Sequence, residues 1–371
     1  MSAQQRADAE REQRQEVVRQ QLERRYMIGP TSAAKIDYAV QWQFQVPQRR
    51  VKQIIPADDS TFILTHNNDL IRIMSNDGRR VWTVSVAKSL QKVHSIIPVK
   101  EQGLVLVLTD NSILTLSLAT GMAEAAVIGK AKQNLEWIAN TECSVSGEYL
   151  LYGAPSGQLV WQAWQIGFAW RAYQIDHTVR LKPTVQNKIV VATGSSGVIL
   201  AFDVRTASQI WRTELLDNIV AEPAVSSSAI YIAGLDQHLR AFDLSTGRRL
   251  WRVLTTSPLT DSPVLIGNTV YQQIPSEGLA AFTALPNNML NGERRWTCDS
   301  IAGSVITKRN NTLITWDART KLLSTIASDR GTPGTQLHLP DVSNVTSTNT
   351  EEGTLYILGI DGRMTCLAPT N

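Results

Sequence analysis

From Tyr38 onward the apolar residues fall in short runs that alternate with polar ones, and each run stops at a cluster of Asn, Asp, Gly or Ser. A period of two broken by frequent turn residues predicts many antiparallel strands. The longest apolar stretches, such as the five residues 104–108, are of strand length. They fall far short of the roughly 20 residues that span a bilayer as a helix. Residues 2–25 follow another pattern. They are rich in Gln, Glu, Arg and Ala, mix both charge signs, and contain neither Gly nor Pro, which predicts a helix. Glu10 and Arg14 sit in the favourable i, i+4 order, whereas Asp8 with Glu12 and Glu12 with Glu16 are like-charged pairs that offset it. Gly29 and Pro30 end the segment.

The helix has one short apolar stripe: Val18, Leu22 and Tyr26. It is expected either to fray in solvent or to dock a partner or membrane surface through those three residues. No sustained heptad supports a coiled coil. The chain thus divides into a charged helix or tail, residues 1–36, and a strand-rich region, residues 37–371.

That region repeats. Residues 181–211 and 220–251 share a frame: an early proline (Pro183, Pro223), a β-rich run, a turn, an Ala-Phe-Asp triplet and a closing tryptophan. Trp211 and Trp251 are 40 residues apart, as are Trp42 and Trp82. Trp170 and Trp296 close further copies, the second with an insertion near residues 286–291. Residues 104–127 make another copy, with Ala126 where a tryptophan is expected. Residues 305–326 and 354–367 make two more without it. A period near 40 residues holding four strands is one propeller blade, and about eight are present. The last copy lacks a fourth strand, and the segment around Trp42 has a fourth strand without its partners. Pairing the two completes the final blade and leaves no open edge.

The turn residues have reasons of their own. Asp243 and Thr246 are placed to satisfy backbone N–H groups, Gly247 to reverse the chain, and Trp251 to lie between blades; Asp203 repeats the first role. Inter-blade packing also accounts for 10 Trp against only 6 Phe.

Composition narrows the function. Apolar residues make up 43% and charged residues 19%, ample for a core. A net charge of +3 is too mild to imply nucleic acid. Cys143, Cys298 and Cys366 are far apart and form no CxxC, so neither a disulfide framework nor a zinc site is expected. His66, His94, His177, His238 and His338 fall in different copies without metal-binding spacing. No nucleophile elbow, Walker loop or dinucleotide loop occurs. The sequence as it stands shows no export signal or lipid-attachment cysteine, so a cytoplasmic location is expected, or a periplasmic one if a signal has been removed. One feature is left over: Arg79-Arg80, Arg248-Arg249 and Arg294-Arg295 each precede a closing tryptophan. They are expected on one face, either protecting strand edges or forming a basic arc for an acidic protein.

The pattern A-x-D-x-x-T-G-x-x-x-W resembles the tryptophan-docking motif of the pyrroloquinoline quinone (PQQ) repeat family of β-propellers. Ala241, Asp243, Thr246, Gly247 and Trp251 match it fully; Ala201, Asp203, Thr206 and Trp211 match with Ala207 in place of the glycine. Gly78 with Trp82 and Gly292 with Trp296 keep its end. The resemblance covers roughly residues 38–371. It implies an all-β, eight-bladed propeller of four-stranded antiparallel blades. The quinoprotein dehydrogenase branch uses PQQ and calcium, and many of its members carry an adjacent Cys-Cys pair that this chain lacks. The BamB-type branch of non-enzymatic scaffolds, exported lipoproteins, fits the size and blade count better. The expectation is a non-catalytic scaffold for protein partners, with no cofactor, nucleic acid or transmembrane segment. The alternative is a PQQ-dependent or small-ligand-binding propeller.

Overall fold

The protein is described by a computed structural model that covers residues 11, 13–18, 20–21, 23, 25–47, 50–125, 129–286 and 291–370. The strands form eight four-stranded antiparallel sheets, and the fold is an all-β, eight-bladed propeller. Blades 1 to 7 take residues 51–85, 93–134, 144–174, 184–214, 224–254, 264–298 and 304–338, with strands in chain order. Blade 8 takes residues 342–369 and receives its fourth strand from the other end of the chain. Tyr38–Gln45 pairs antiparallel with Arg363–Pro369, from Tyr38 opposite Pro369 to Gln45 opposite Arg363. The chain divides into two compact units: residues 1–63, 73–80 and 305–371, and residues 64–72 and 81–304.

Strand position explains the sequence pattern. The third strand of blade 4, Val198–Asp203, is buried on both faces and reads as a continuous apolar run. The fourth strand, Gln209–Glu214, has one face in solvent and alternates. Pro183 and Pro223 stand immediately before the first strands of blades 4 and 5, where no ladder N–H is needed. Apolar clusters fill the spaces between sheets. One joins Tyr231, Leu239 and Trp251 of blade 5 to Val270, Ala280 and Phe282 of blade 6. Another joins Ile28, Ala33, Ile36 and Tyr38 to blades 7 and 8.

One hydrogen bond recurs from blade to blade. Trp251 Nε1 donates to Ala284 O at 2.8 Å, and Trp211 Nε1 to Leu244 O at 2.8 Å. Trp82 Nε1 donates to Leu118 O at 2.9 Å, and Trp42 Nε1 to Ser75 O at 2.9 Å. Every acceptor belongs to the residue just past the third strand of the next blade. Each indole face also lies on a glycine in that blade's 3→4 turn. A Cβ on Gly247 would come within 2.6 Å of the Trp211 ring, and one on Gly78 or Gly121 within 2.7 Å of Trp42 or Trp82. These glycines have φ near +70°, so two constraints select the residue. Gly292, after the blade 6 insertion, lies against Trp251 in the same way. Trp296 is buried, its ring 5.9 Å from that of Tyr271.

Blades 2 and 3 keep the bond and change its source. In blades 4, 5 and 6 the docking tryptophan stands opposite a small residue of the third strand: Trp211 opposite Ala201, Trp251 opposite Ala241, Trp296 opposite Ala281. In blade 3 this pair is inverted, and Trp161 of the third strand faces Arg171 of the fourth. Trp161 is fully buried, and its Nε1 donates to Val204 O at 3.0 Å. Trp170, expected to close this copy, occupies the neighbouring bulge instead. It is half-buried, stacked on Tyr149 at 5.3 Å. The repeat frame runs through Arg171, 40 residues before Trp211. Because the indole now arrives from another strand, the turn it meets tolerates a Cβ. Ala207 occupies the glycine position at φ +51° in the same apolar cluster as Trp161. In blade 2 the donor is an amide: Gln133 Nε2 gives 2.8 Å to Trp164 O. Trp164 itself, fully buried, supplies the indole volume from the opposite side. Ala126 lies outside the described residues.

Removing an indole that is buried and bonded leaves both a cavity and an unpaired carbonyl. Trp251→Ala and Trp161→Ala should each cost about 3–5 kcal/mol, and Trp170→Ala less than half of that, in urea unfolding. A cost for Trp170→Ala equal to that for Trp161→Ala would contradict the inverted pair. Relief of left-handed strain should make Ala207→Gly stabilising by about 0.5–1 kcal/mol, whereas Gly247→Ala, which meets the Trp211 ring, should cost about 2 kcal/mol or more. The same sign for both substitutions would refute the exchange between turn residue and indole source.

Candidate functional site at the ends of the blades

In a sheet whose four strands follow the chain, the 1→2 and 3→4 turns lie at one end. The 2→3 turn and the link to the next blade lie at the other. The 3→4 end carries the aspartate turns and the arginines, and also the exposed Met122 and Ile166. At the 3→4 end, Asp203 Oδ1 accepts the N–H groups of Arg205 and Thr206, each at 2.9 Å, and the Thr206 hydroxyl at 3.1 Å. Asp243 Oδ1 accepts Ser245 N at 3.0 Å, Thr246 N at 2.8 Å and both hydroxyls. The Thr206 N–H holds the Asp203 carboxyl below its ordinary value, and the Ser245 hydroxyl does so for Asp243. In each turn one carboxylate oxygen is taken up by these contacts, so the aspartates are accounted for as turn builders.

Arg79 and Arg248 stand just before a fourth strand and Arg80, Arg249 and Arg294 at its first residue, whereas Arg295 is one place further along; all six are exposed. Their head groups do not behave alike. Arg294 Nη1 is paired with the Glu277 carboxylate, and its guanidinium lies 5.4 Å from the Phe282 ring centroid. Arg295 Nη1 donates to Thr269 Oγ1 at 2.7 Å. Arg79 lies 3.8 Å from Asp77 within its own turn. Arg80, Arg248 and Arg249 have no side-chain partner among the described residues and are the free cations of the set.

The opposite end carries large apolar side chains that the strand pattern did not flag. Leu90, in the link from blade 1 to blade 2, is 101% exposed, and Leu216, in the link from blade 4 to blade 5, is 95% exposed. Ile138 and Val220 are exposed in links of the same kind. The available signal was local: Leu90 stands in KSLQK and Leu216 in ELLDN, turn-like contexts where an apolar residue has no alternating partner to bury it.

The N-terminal segment is anchored at its far end, from Glu23 to Ile36, while its described residues between 11 and 21 are exposed. The described residues between 11 and 25 are helical, and a second helix, Pro30–Ala34, follows with proline in its first turn. The Glu23 carboxylate accepts Thr31 N at 2.9 Å, Ser32 N at 3.2 Å and the Ser32 hydroxyl at 2.8 Å. It thereby satisfies the free N–H groups that start this helix. Met27 N donates to Gln43 Oε1 at 3.2 Å, and Ile28, Ala33 and Ile36 are buried. Val18 is exposed and Tyr26 is half-buried. Leu22 lies outside the described residues.

Elsewhere the ionisable groups do not converge. Among the described residues no group of three or more His, Cys, Asp or Glu could hold a metal, and no helix is long and apolar enough to cross a membrane. Cys143, Cys298 and Cys366 are buried free thiols. His94 is buried, and desolvation pushes its imidazole down to about 4. His238 Nδ1 lies 2.8 Å from Asp236 O. His66, His177 and His338 are exposed.

Blades that dock through a turn and an indole define a propeller of the PQQ-repeat class. The profile of the family described as outer membrane protein assembly factor BamB matches residues 34–139 and 146–304, and the chain belongs to this family. The match ends where blade 7 begins, yet blades 7 and 8 follow the same four-stranded plan. Among solved structures, BamB from Moraxella catarrhalis is 18% identical with a TM-score of 0.67, covering 89% of this chain and 97% of its own. The computationally designed Ika8 protein is 14% identical with a TM-score of 0.69, covering 89% and 99%. At these identities the likeness is one of fold. No curated protein matches the sequence.

The carboxylate turns generate a pH dependence. Folded carboxyls that titrate below the unfolded value of about 3.9 add stability that is complete above that pH and is lost as pH falls through the folded values. The urea midpoint of the wild type should therefore drop more steeply between about pH 4 and 2 than that of an Asp203→Asn/Asp243→Asn variant. Parallel curves would show that neither turn is linked to protonation.

Proposed function

We propose that the protein is a non-catalytic scaffold that assembles protein partners on the two ends of its blades. The observation that carries this reading is the pair of almost fully exposed leucines, Leu90 and Leu216, in the blade links. A large apolar side chain held in water on an ordered link gains most when a partner covers it. The free guanidiniums of Arg248 and Arg249, at the opposite end of blade 5, suit an acidic protein surface, which they would attract without needing deep burial. Membership of a family described as an assembly factor supports the same reading. The N-terminal helix is a third contact, presenting Val17 and Val18 from a segment anchored at Glu23 and Ile28.

The test is cross-linked capture from native lysate with quantified recovery of each partner. Four chains are compared: wild type, Leu90→Ser/Leu216→Ser, Arg80→Glu/Arg248→Glu/Arg249→Glu, and a chain starting at Glu23. The last keeps the anchor formed by Glu23 and Ile28. At least one partner should fall about tenfold or more with the leucine pair, the size expected for losing an interface anchor. Salt-sensitive partners should fall with the arginine set. Identical recovery with all four chains would reject the scaffold reading. Saturable binding of PQQ with calcium, read by absorbance, would move the assignment to the quinone-dependent alternative.

A further inference from the structure

Blade 2 has a short fourth strand. Lys132–Asn134 spans three residues where the fourth strands of blades 4 and 5 span six. Beside it opens a cavity of about 310 Å³, at the lower end of the range for small-molecule sites. Its apolar lining comes from Val86, Ala87 and Leu114, and two cations, Lys88 and Lys132, stand at its walls. Lys132 pairs with Leu114 across the ladder, so both side chains project from the same face of the blade. Among the described residues that line the cavity none is a carboxylate. The hydroxyls of Thr109 and Ser112, also in the lining, are hydrogen-bonded to one another at 2.8 Å. The charged recognition therefore falls to the two lysines, with the Ser85 hydroxyl as a further polar group in the lining.

The wall that carries Lys88 is held in place. The buried Asn68 donates its Nδ2 hydrogens to Lys88 O at 2.7 Å and Gln91 O at 2.9 Å. Gln91 Oε1 accepts Lys88 N at 3.0 Å, and Gln91 Nε2 donates to Asn111 Oδ1 at 3.1 Å. A loop ordered by its own hydrogen bonds loses little further freedom when a ligand arrives. Cations of one sign around a low-dielectric recess also concentrate anions there more strongly than the same charges on an open surface.

The geometry points to a binding site for a small organic anion, a carboxylate or phosphate on a compact apolar body, with the charge between Lys88 and Lys132 and the body against Val86, Ala87 and Leu114. Leu90 shares the blade 1–2 link with Lys88 and Gln91 but does not line the cavity, and the anion site does not rest on the scaffold reading.

Isothermal titration at low salt tests it with phenyl phosphate, benzoate, inorganic phosphate, neutral benzamide and an acidic hexapeptide. Wild type is compared with Lys88→Ala/Lys132→Ala and with Lys92→Ala, a lysine that does not line the cavity. All three lysines are exposed, and unchanged thermal unfolding checks that the variants fold. Phenyl phosphate or benzoate should bind saturably and benzamide should not. The double variant should weaken binding about tenfold or more, as expected for losing charge-assisted contacts, and Lys92→Ala should leave it unchanged. Binding of the hexapeptide without the small anions would overturn the small-anion assignment and give the two lysines to an acidic partner chain. No saturable binding of any anion, or equal binding by the double variant, would overturn the proposal. Equal affinity for inorganic phosphate and phenyl phosphate would remove the apolar body from it.

Discussion

At six of the eight blade junctions one hydrogen bond recurs among the described residues, from a side-chain N–H of one blade to the carbonyl just past the third strand of the next. In blade 5 that carbonyl belongs to Leu244 and lies beyond the last ladder pair, Ala229 with Asp243. No strand partner is left for it, and burial without a donor would cost about 1–3 kcal/mol. The indole answers this need while filling the space between sheets, and its flat face then dictates a glycine underneath. Blades 2 and 3 separate the two requirements. Trp161 keeps the indole and changes its strand; Gln133 keeps only the donor and lets Trp164 fill the volume from the other side. The repeating element is therefore the satisfied carbonyl, and tryptophan is its commonest means.

The regular copies were legible in the sequence because each repeat states the same solution: a buried third strand, an aspartate that folds the turn, a glycine, and an indole four residues on. The pairing of Tyr38–Gln45 with the end of the chain was legible for the same reason, since a blade missing one strand implies a strand missing its blade. Blade 3 misled because WQAWQIGFAWR offers three tryptophans, and only the strand register shows which of them faces the neighbour. Composition cannot distinguish a ladder position from a bulge. The N-terminal segment was half legible. Gly29 and Pro30 mark the end of one helix, and the same proline starts another whose cap, Glu23, comes from seven residues upstream.

The candidate surfaces were less legible than the fold. Spacing places three arginine pairs near the starts of fourth strands, but it does not reveal that Glu277 lies within reach of Arg294 or Thr269 within reach of Arg295. Such contacts depend on where neighbouring turns project. The residues most recognisable as polar chemistry, Asp203 and Asp243, are satisfied by their own backbone. Those most available to a partner, Leu90 and Leu216, appear in the sequence as ordinary apolar residues.

The pairing of the first strand with the last has a consequence for biosynthesis. Tyr38–Gln45 leaves the ribosome early, yet its partner, Arg363–Pro369, appears more than 300 residues later. At roughly 5–20 residues per second the wait is on the order of 15–65 s. Throughout it the nascent chain carries a strand with an unoccupied edge while later blades form beside it. Contacts this distant in sequence also make the final step slow. The helix Pro30–Ala34 lies directly upstream of this strand, and its Ala33 and the flanking Ile28 and Ile36 pack on blades 7 and 8, which are equally late. Strand and helix thus remain unsheltered together until the last blade is translated, which makes the start of the chain the part most dependent on protection during synthesis.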